Sequence, residues 1–197
     1  MNKDILLCGV GGQGTVLASK LIASAAMRCG NVVHSAETIG MAQRGGSVTS
    51  HIRIGEKASS PLIPHGSADI LIAFEPAEAV RNLSFLKKNG VVIVNRTPVK
   101  PTTEALQETG YDGTEMIDYL KKKTNCVVLD GKALLEKAGS PRCFNIIVLG
   151  ALAASGRLEI PSEILLEEME HQIKPQFLEL NKKAFRIGEE AADNEIK

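Results

Sequence analysis

A glycine-rich turn between an apolar strand and a helix limits the fold of this chain more than any other stretch. The turn runs from Cys8 to Thr15 and reads Cys-Gly-Val-Gly-Gly-Gln-Gly-Thr. The predicted buried strand before it holds Ile5, Leu6 and Leu7, and the predicted helix face after it holds Val16, Leu17, Leu21, Ile22 and Ala25. Gly9, Gly11 and Gly14 match the pattern G-x-G-x-x-G, whose glycines permit positive φ and turn free N–H groups outward. The stretch is therefore either an anion cradle or a tight turn whose glycines serve only close packing.

A second strand after this helix completes a strand-helix-strand unit. Gly30 is suited to end the helix in a left-handed conformation, and Val32–His34 opens the strand. Such a unit is nearly always right-handed, with parallel strands. Glu37 lies 23 positions beyond Gly14, close to where dinucleotide-binding folds place the carboxylate that binds a ribose. A free-standing NAD(P)-binding oxidoreductase is therefore one hypothesis.

The residues after Glu37 depart from the dinucleotide pattern. Thr38–Ser47 contains three glycines and no helical periodicity, where a crossover helix would be expected. Apolar and polar residues then alternate over Val48–Ile54, which predicts a half-exposed strand, as at an antiparallel edge of a mixed sheet. On this prediction His51 lies on the polar face and is exposed to solvent or to a partner.

The rest of the chain predicts further alternation of strands and helices. Strands are expected at 70–74, 91–94 and 126–129, and helices from Pro76 to a stop at Gly90 and at 116–123, 131–137, 142–155, 161–174 and 176–192. We therefore expect one α/β domain over residues 1–197, with three α/β/α layers and a Rossmann-like, mostly parallel but mixed sheet. Its C-terminal helical extension, from about residue 157 to 197, serves as a second helical layer or in part as a subunit contact.

Parallel strands would bring several polar residues to one rim of the predicted sheet. Glu37, Glu75 and Asn95 each lie at or near the end of a predicted strand, as the glycine turn does. Sheets of this kind bind ligands at their carboxyl rim. We therefore expect these residues to lie near the functional site.

Composition and charge exclude several classes of function. Lys plus Arg and Asp plus Glu both total 23, and the chain has no Trp and two Tyr, so neither a basic surface nor stacking side chains favour nucleic-acid binding. No signal segment or membrane-length apolar run is visible, which predicts a cytoplasmic protein without a membrane role. The cysteines lack a C-x-x-C pair, which predicts reduced side chains and argues against a metal or iron–sulfur site in this chain. They are Cys8, Cys29, Cys126 and Cys143.

Several stretches together resemble the gamma-type subunits of the 2-oxoacid:ferredoxin oxidoreductases. They are Gly9–Gly14, Glu37–Ser47 and Ser50–Arg53, and the Met41–Ser47 block is far more specific than the glycine turn. Within that family the chain most resembles the beta subunits of indolepyruvate:ferredoxin oxidoreductases, through Ser60–Pro64, Ala68–Ala79 and Phe177–Phe185. The resemblance covers most of the chain.

The resemblance implies oxidative decarboxylation of a 2-oxoacid, such as indolepyruvate or another arylpyruvate, to an acyl-CoA and CO2 with reduction of ferredoxin. That reaction uses thiamine diphosphate, [4Fe-4S] clusters and coenzyme A. The G-D-G motif of thiamine enzymes is missing, since Asp112-Gly113 and Asp130-Gly131 lack the preceding glycine. The resemblance therefore implies that a larger partner subunit carries the thiamine and iron–sulfur cofactors. This chain would be the smaller, non-redox subunit, inactive by itself, and would meet ferredoxin only through the complex.

The candidate cofactor-binding residues come from the glycine turn and the Met41–Ser47 block. They are Gly9, Gly11, Gly12, Gln13, Gly14, Thr15, Gln43, Arg44, Gly45, Gly46 and Ser47. Backbone N–H groups of the turn and the Arg44 guanidinium suit a phosphate of coenzyme A. The alternative is that Gln43 and Arg44 only tie their loop to Glu37 or to a helix end. No residue of this chain is predicted to be catalytic or to bind a metal, and a homo-oligomeric module that binds coenzyme A or a nucleotide is a further hypothesis.

Overall fold

Strands and helices alternate along the chain, of which the computed structural model describes residues 1–39, 45–99 and 110–196. The strands are β1 (Lys3–Val10), β2 (Val33–Ile39), β3 (Ser47–Ile54), β4 (Ala68–Ala73), β5 (Leu86–Asn95) and β6 (Asn125–Leu129). The helices are α1 (Thr15–Arg28), α2 (Pro76–Arg81), α3 (Thr114–Lys123), α4 (Gly131–Ala138), α5 (Phe144–Ala154), α6 (Ser162–Gln172) and α7 (Pro175–Ile196). A short 3-10 turn, Leu83–Phe85, lies between α2 and β5.

The strands form one mixed sheet in the order β2-β3-β1-β4-β5-β6. β1, β4, β5 and β6 are parallel, and β3 is antiparallel to both of its neighbours, β1 and β2. β1 and β2 therefore point in the same direction, as predicted, with β3 between them. The prediction that β3 is a half-exposed edge strand is wrong. Hydrogen-bonded strands occupy both of its edges, and Ser50, His51 and Ile52 in its centre are all buried.

Helices cover both faces of the sheet, because alternate residues of each central strand point to opposite sides. Ile5 and Leu7 belong to the larger apolar core, which contains residues of α1, α4, α5, α6 and α7. Leu6 and Cys8 belong to the smaller core, which contains residues of α2 and α3. The predicted three-layer α/β/α fold is thus confirmed. In the described part of the chain, no helix has both the length and the apolar character needed to cross a membrane.

The segment after α2 differs from the prediction of one helix that ends at Gly90. The helix ends at Arg81, and Gly90 lies inside β5. A Cβ on Gly90 would lie 2.6 Å from a side-chain carbon of Leu86 and 3.1 Å from the carbonyl oxygen of Ala68. The register of β4 and β5 also shifts at this point. Glycine is needed here for close approach within an irregular strand pair, not to end a helix.

Helices α5 and α7 pack with their backbones in direct contact. A Cβ on Gly150 of α5 would collide with the carbonyl group of Phe185, and one on Gly188 of α7 would collide with the carbonyl group of Ile147. These two glycines therefore let α5 and α7 approach closely. The C-terminal helices α6 and α7 lie in the same layer as α1 and α5.

Substitution Gly150→Ala should destabilise the protein by about 3 kcal/mol, because the added methyl must separate α5 from α7. Alanine raises helix propensity by about 1 kcal/mol over glycine, which is too little to offset that cost. Urea unfolding should therefore show a lower midpoint with an unchanged slope. Glu190→Ala, at an exposed position of α7, is the matched control and should change stability by no more than about 0.5 kcal/mol. A Gly150→Ala protein as stable as its parent would contradict the close contact of the two helices.

Candidate functional site

The Gln13 side chain fills the inner side of the glycine turn. Its Oε1 accepts the Val10 N–H at 2.8 Å, and its Nε2 donates to the Phe74 carbonyl at 2.9 Å. Gly9 leaves room for this arrangement, since a Cβ there would lie 2.7 Å from Gln13 Oε1 and 2.9 Å from Phe74 Cβ. The turn is thus closed on one side by one of its own residues.

The glycine turn contacts the segment at the start of β3. Both stretches belong to the predicted site. The Gly11 N–H donates to the Gly46 carbonyl at 2.8 Å. Gly12 and Gly14 have positive φ, at 100° and 83°, and so does Gly45, at 77°. These are conformations that glycine adopts without a steric penalty. Gln43 and Arg44 lie outside the described residues.

Ser47 anchors the start of β3 to a buried carboxylate of α2. The Ser47 hydroxyl donates to Glu78 Oε2 at 2.6 Å, and the other Glu78 oxygen pairs with Arg81. A buried charge needs such partners to offset its desolvation. Sequence reasoning missed Glu78. An acidic residue in the first turn of a helix is favourable at any helix N-terminus, so its presence there does not indicate a buried partner.

Glu75 caps α2 and joins it to the segment before α3. Its Oε2 accepts the Glu78 N–H at 3.0 Å, and the Tyr111 hydroxyl donates to its Oε1 at 2.5 Å. Burial, followed by the hydrogen bond to Glu75, raises the pKa of Tyr111 far above its ordinary value of 10.0. Tyr111 therefore stays protonated and keeps its donor role.

The predicted rim residues are brought together in part. Asn95 Nδ2 donates to the Phe74 carbonyl at 3.1 Å, the group that also accepts from Gln13, and Glu75 follows Phe74 directly. Glu37 lies on β2, two strands from β1, where its Oε1 accepts a long hydrogen bond of 3.4 Å from Ser19 of α1. A ribose carboxylate belongs on the strand next to the glycine turn. The geometry therefore argues against the NAD(P) hypothesis.

His51 contradicts the prediction that it is exposed to solvent or to a partner. Only 6% of the residue is exposed, its Nδ1 accepts the Ile63 N–H at 3.2 Å, and its ring meets Phe85 edge-on at 5.7 Å. The loop after β3 covers this face of the sheet, which periodicity within the strand does not reveal. Burial lowers the pKa of His51 from its ordinary value of 6.5.

The four cysteines lie in separate segments of the fold. Cys8 and Cys143 are buried, Cys126 is half-buried, Cys29 is exposed, and no disulfide joins any two of these four described residues. Burial, with smaller contributions from the carboxylates of Glu78 and Glu75, raises the pKa of Cys8 well above 9.0, so its thiol stays protonated. Over residues 1–39, 45–99 and 110–196, no three His, Cys, Asp or Glu side chains are placed to hold a metal ion.

One face of the turn remains open, toward the N-terminus of α1. Gly12, Gln13 and Gly14 line a cavity of ≈ 470 Å³ there. No side chain within residues 1–39, 45–99 and 110–196 caps α1, and its first turn contains no acidic residue. The free N–H groups of a helix N-terminus favour an anion. This end of the predicted cradle faces the cavity.

Sequence comparison finds related proteins over almost the whole chain. The pattern of the family described as "Pyruvate ferredoxin/flavodoxin oxidoreductase" matches residues 4–191. The chain is 42% identical over 190 residues to "Indolepyruvate oxidoreductase subunit IorB" of Archaeoglobus fulgidus, covering 95% of this chain and 94% of that protein. It is 31% identical over 198 residues to "Pyruvate/ketoisovalerate oxidoreductases common subunit gamma" of Thermococcus kodakarensis, covering 98% and 97%.

Solved structures share the fold. The gamma subunit of a keto/oxoacid ferredoxin oxidoreductase from Geobacter sulfurreducens superposes with a TM-score of 0.72 at 23% identity, covering 98% of this chain and 99% of that one. The 2-oxoglutarate:ferredoxin oxidoreductase from Magnetococcus marinus superposes with a TM-score of 0.75 at 20% identity, covering 98% of this chain and 31% of that one. The fold thus occurs both as a separate chain and as part of a longer one.

Substitution Gln13→Ala should lower the free energy of unfolding by about 2 kcal/mol, because it removes two hydrogen bonds and leaves the Val10 N–H without its acceptor. Urea unfolding measures the loss. Gln176→Ala, at an exposed position of α7, is the control and should be nearly neutral. Equal stability of both variants would show that the Gln13 amide does not close the turn.

The buried His51 should make the protein less stable as the pH falls below about 6.5. The unfolded chain takes up a proton on this residue near that pH, whereas the lowered pKa keeps His51 neutral in the folded state, so acid favours unfolding. His51→Asn keeps an acceptor for the Ile63 N–H but cannot titrate. Urea midpoints measured from about pH 7.5 to about pH 5.5 should fall less steeply for this variant than for the parent. If the urea midpoints of the variant and the parent fell equally with pH, the titration of His51 would not be the cause of the loss of stability.

Proposed function

Because the chain belongs to the pyruvate ferredoxin/flavodoxin oxidoreductase family, we propose that it is the small subunit of a complex that oxidises indolepyruvate or a related arylpyruvate. One observation carries the proposal. The alignment with the Archaeoglobus fulgidus indolepyruvate oxidoreductase subunit spans 94% of that protein and 95% of this chain. On this proposal residues 1–197 form one gamma-type domain, and the activity needs a further subunit.

In this proposal the complex converts the 2-oxoacid and coenzyme A to an acyl-CoA and CO2, and reduces ferredoxin. Thiamine diphosphate stabilises the carbanion, and iron–sulfur clusters carry the electrons. The residues of this chain that the structure describes do not fit either group. Asp112 and Asp130, which precede glycines, accept N–H groups at the starts of α3 and α4, and the four cysteines are dispersed. The larger partner subunit therefore holds both cofactors, in the cytoplasm.

The contribution of this chain is to bind coenzyme A and the partner subunit. We place a phosphate of coenzyme A at the open end of the glycine turn, near Gly14 and Thr15, where the α1 N-terminus favours an anion. The Met41–Ser47 block adjoins the turn through Gly46, so Arg44 would supply a positive charge and Gln43 a neutral hydrogen bond. The solved oxidoreductase from Magnetococcus marinus contains bound coenzyme A, which supports coenzyme A as the ligand.

The proposal predicts that this chain copurifies with a larger subunit. The full chain, tagged and isolated from its native cells without oxygen, should elute with a longer chain, with iron and with thiamine diphosphate. Light-scattering mass, mass spectrometry and an iron assay identify the components. The eluate should reduce ferredoxin with indolepyruvate and coenzyme A, and the separated small chain should not.

Untagged cells give the background for this experiment. Recovery of the chain alone, as an iron-free homo-oligomer, would overturn the proposal and favour a module that binds a nucleotide or coenzyme A by itself. Recovery in a complex that oxidises only aliphatic 2-oxoacids would overturn the choice of substrate.

A further inference from the structure

Exposed lysines from two elements meet at one corner of the sheet, which we call the lysine corner. They are Lys87 and Lys88 near the start of β5, and Lys121, Lys122 and Lys123 at the end of α3. The end of α3 leads through one residue into β6, which is parallel to β5, and Asn125 of β6 pairs with Val91 of β5. The end of α3 therefore lies beside the first residues of β5.

Most of the positive charge at the lysine corner has no ion-pair partner among the described residues. Lys87 pairs with Asp69 of β4, where its Nζ lies 2.7 Å from Oδ1. Within residues 1–39, 45–99 and 110–196, no carboxylate forms an ion pair with Lys88 or with Lys121–Lys123, and this includes Asp118, one turn earlier on α3. The formal charge of the whole chain is zero, so the corner is a local excess of positive charge.

The usual structural roles of lysine do not account for this cluster. A lysine in the last turn of a helix can donate to a free carbonyl. At the end of α3, however, the Leu120 carbonyl accepts both the N–H and the hydroxyl of Thr124, each at 2.9 Å. Lysine also protects an unpaired strand edge, and β5 extends beyond its pairing with β6, but that role concerns Lys87 and Lys88 only. The helix dipole favours one positive charge here, and the mutual repulsion of three opposes the gain.

The surface chemistry of the corner fits a brief contact with an acidic protein. Lysine is depleted at the cores of stable protein interfaces, which are more apolar. Exposed, unpaired charges raise the rate of association more than they raise the affinity. Tyr119 is the one aromatic side chain of α3, which is too little for stacking on nucleic-acid bases or for insertion into a membrane. The partner is therefore a protein with a negative surface that binds and leaves quickly.

We propose that the lysine corner guides an acidic electron-acceptor protein to the complex. This inference deepens the proposed function, on which it rests for the identity of the acceptor, since ferredoxin is the transient protein partner of that reaction. β1, β4 and β5 are parallel, so the start of β5 and the glycine turn after β1 lie at opposite ends of the sheet. Ferredoxin and coenzyme A then approach different ends of this chain. The corner affects the encounter with ferredoxin and leaves the chemical steps unchanged.

Steady-state kinetics of the purified complex, with ferredoxin or a small viologen dye as acceptor, test the inference. The triple substitution Lys121→Gln, Lys122→Gln and Lys123→Gln removes three charges and retains good helix formers. At low ionic strength it should lower kcat/KM for ferredoxin about tenfold and leave the activity with the dye unchanged. At about 0.5 M salt the variant and the parent should become equal, because screening removes the attraction. Lys88→Gln should lower kcat/KM for ferredoxin by about twofold.

A matched control removes the same number of charges from the opposite layer. Lys132→Gln, Lys137→Gln and Lys183→Gln together change exposed lysines of α4 and α7, and this variant should keep the parent's kcat/KM for ferredoxin. Equal losses in the two triple variants would overturn the inference, because the effect would then follow from net charge alone. A parent whose kcat/KM for ferredoxin does not fall as salt is added would also overturn it.

Titration of the full chain with duplex DNA and with phosphatidylserine vesicles tests the other partners of a basic surface. Binding of either probe that is lost in the α3 triple variant, together with unchanged ferredoxin kinetics, would assign the corner to that partner and overturn the inference. The absence of such binding, together with the expected loss of kcat/KM for ferredoxin, would support it.

The same kinetics separate this inference from the proposed function. A complex that oxidises indolepyruvate with the dye, but reduces ferredoxin equally well without the corner lysines, overturns the inference and leaves the proposed function in place. A complex that oxidises only aliphatic 2-oxoacids, and whose kcat/KM for ferredoxin depends on Lys121–Lys123, supports the inference and overturns the proposed substrate.

Discussion

The backbone carbonyl of Phe74 accepts hydrogen bonds from two side-chain amides, and the carboxyl rim of the sheet is organised around it. Gln13 donates at 2.9 Å from the turn after β1, and Asn95 donates at 3.1 Å from the end of β5. The N–H of Phe74, which directly follows β4, donates to the Cys8 carbonyl at 2.8 Å. Three adjacent parallel strands are thus joined where their ladder of backbone hydrogen bonds ends. A carbonyl has two lone pairs, so both amides can be satisfied by this single buried group.

The antiparallel strand β3 changes what the glycine turn can bind. In a dinucleotide fold the second strand of the unit lies next to the first, whereas here β3 moves β2 outward by about 4.8 Å, the spacing of one strand. The same strand brings the Gly46 carbonyl to the Gly11 N–H. A donor that would face a pyrophosphate is therefore used within the chain. The same glycine pattern here holds two parts of the chain together, because β3, and not β2, lies next to β1 in the sheet.

Local patterns predicted all six strands, the helices at both ends of the chain and the three layers, because apolar periodicity reports which residues face a core. They did not predict the burial of His51, whose acceptor role depends on an N–H from the loop after β3. They also misplaced Gly90, since a glycine within an irregular strand and one that ends a helix look alike in sequence. Asn145 was missed for a stronger reason. Its place beside Gly14 is a contact between distant segments, and an asparagine in an apolar helix gives no sign of the neighbour that it will meet.

The position of Asn145 follows from the packing of the core. Asn145 lies in the first turn of α5, and α5 is held against α7 where Gly150 and Gly188 let the two backbones touch. A helix is stiff over a length of 11 residues, so a contact near its middle also sets where its N-terminus lies. Gly14 then completes the approach on the side of α1. Three glycines thus bring the side chain of Asn145 to the N-terminus of another helix, and this arrangement depends on side chains that are absent as much as on those that are present.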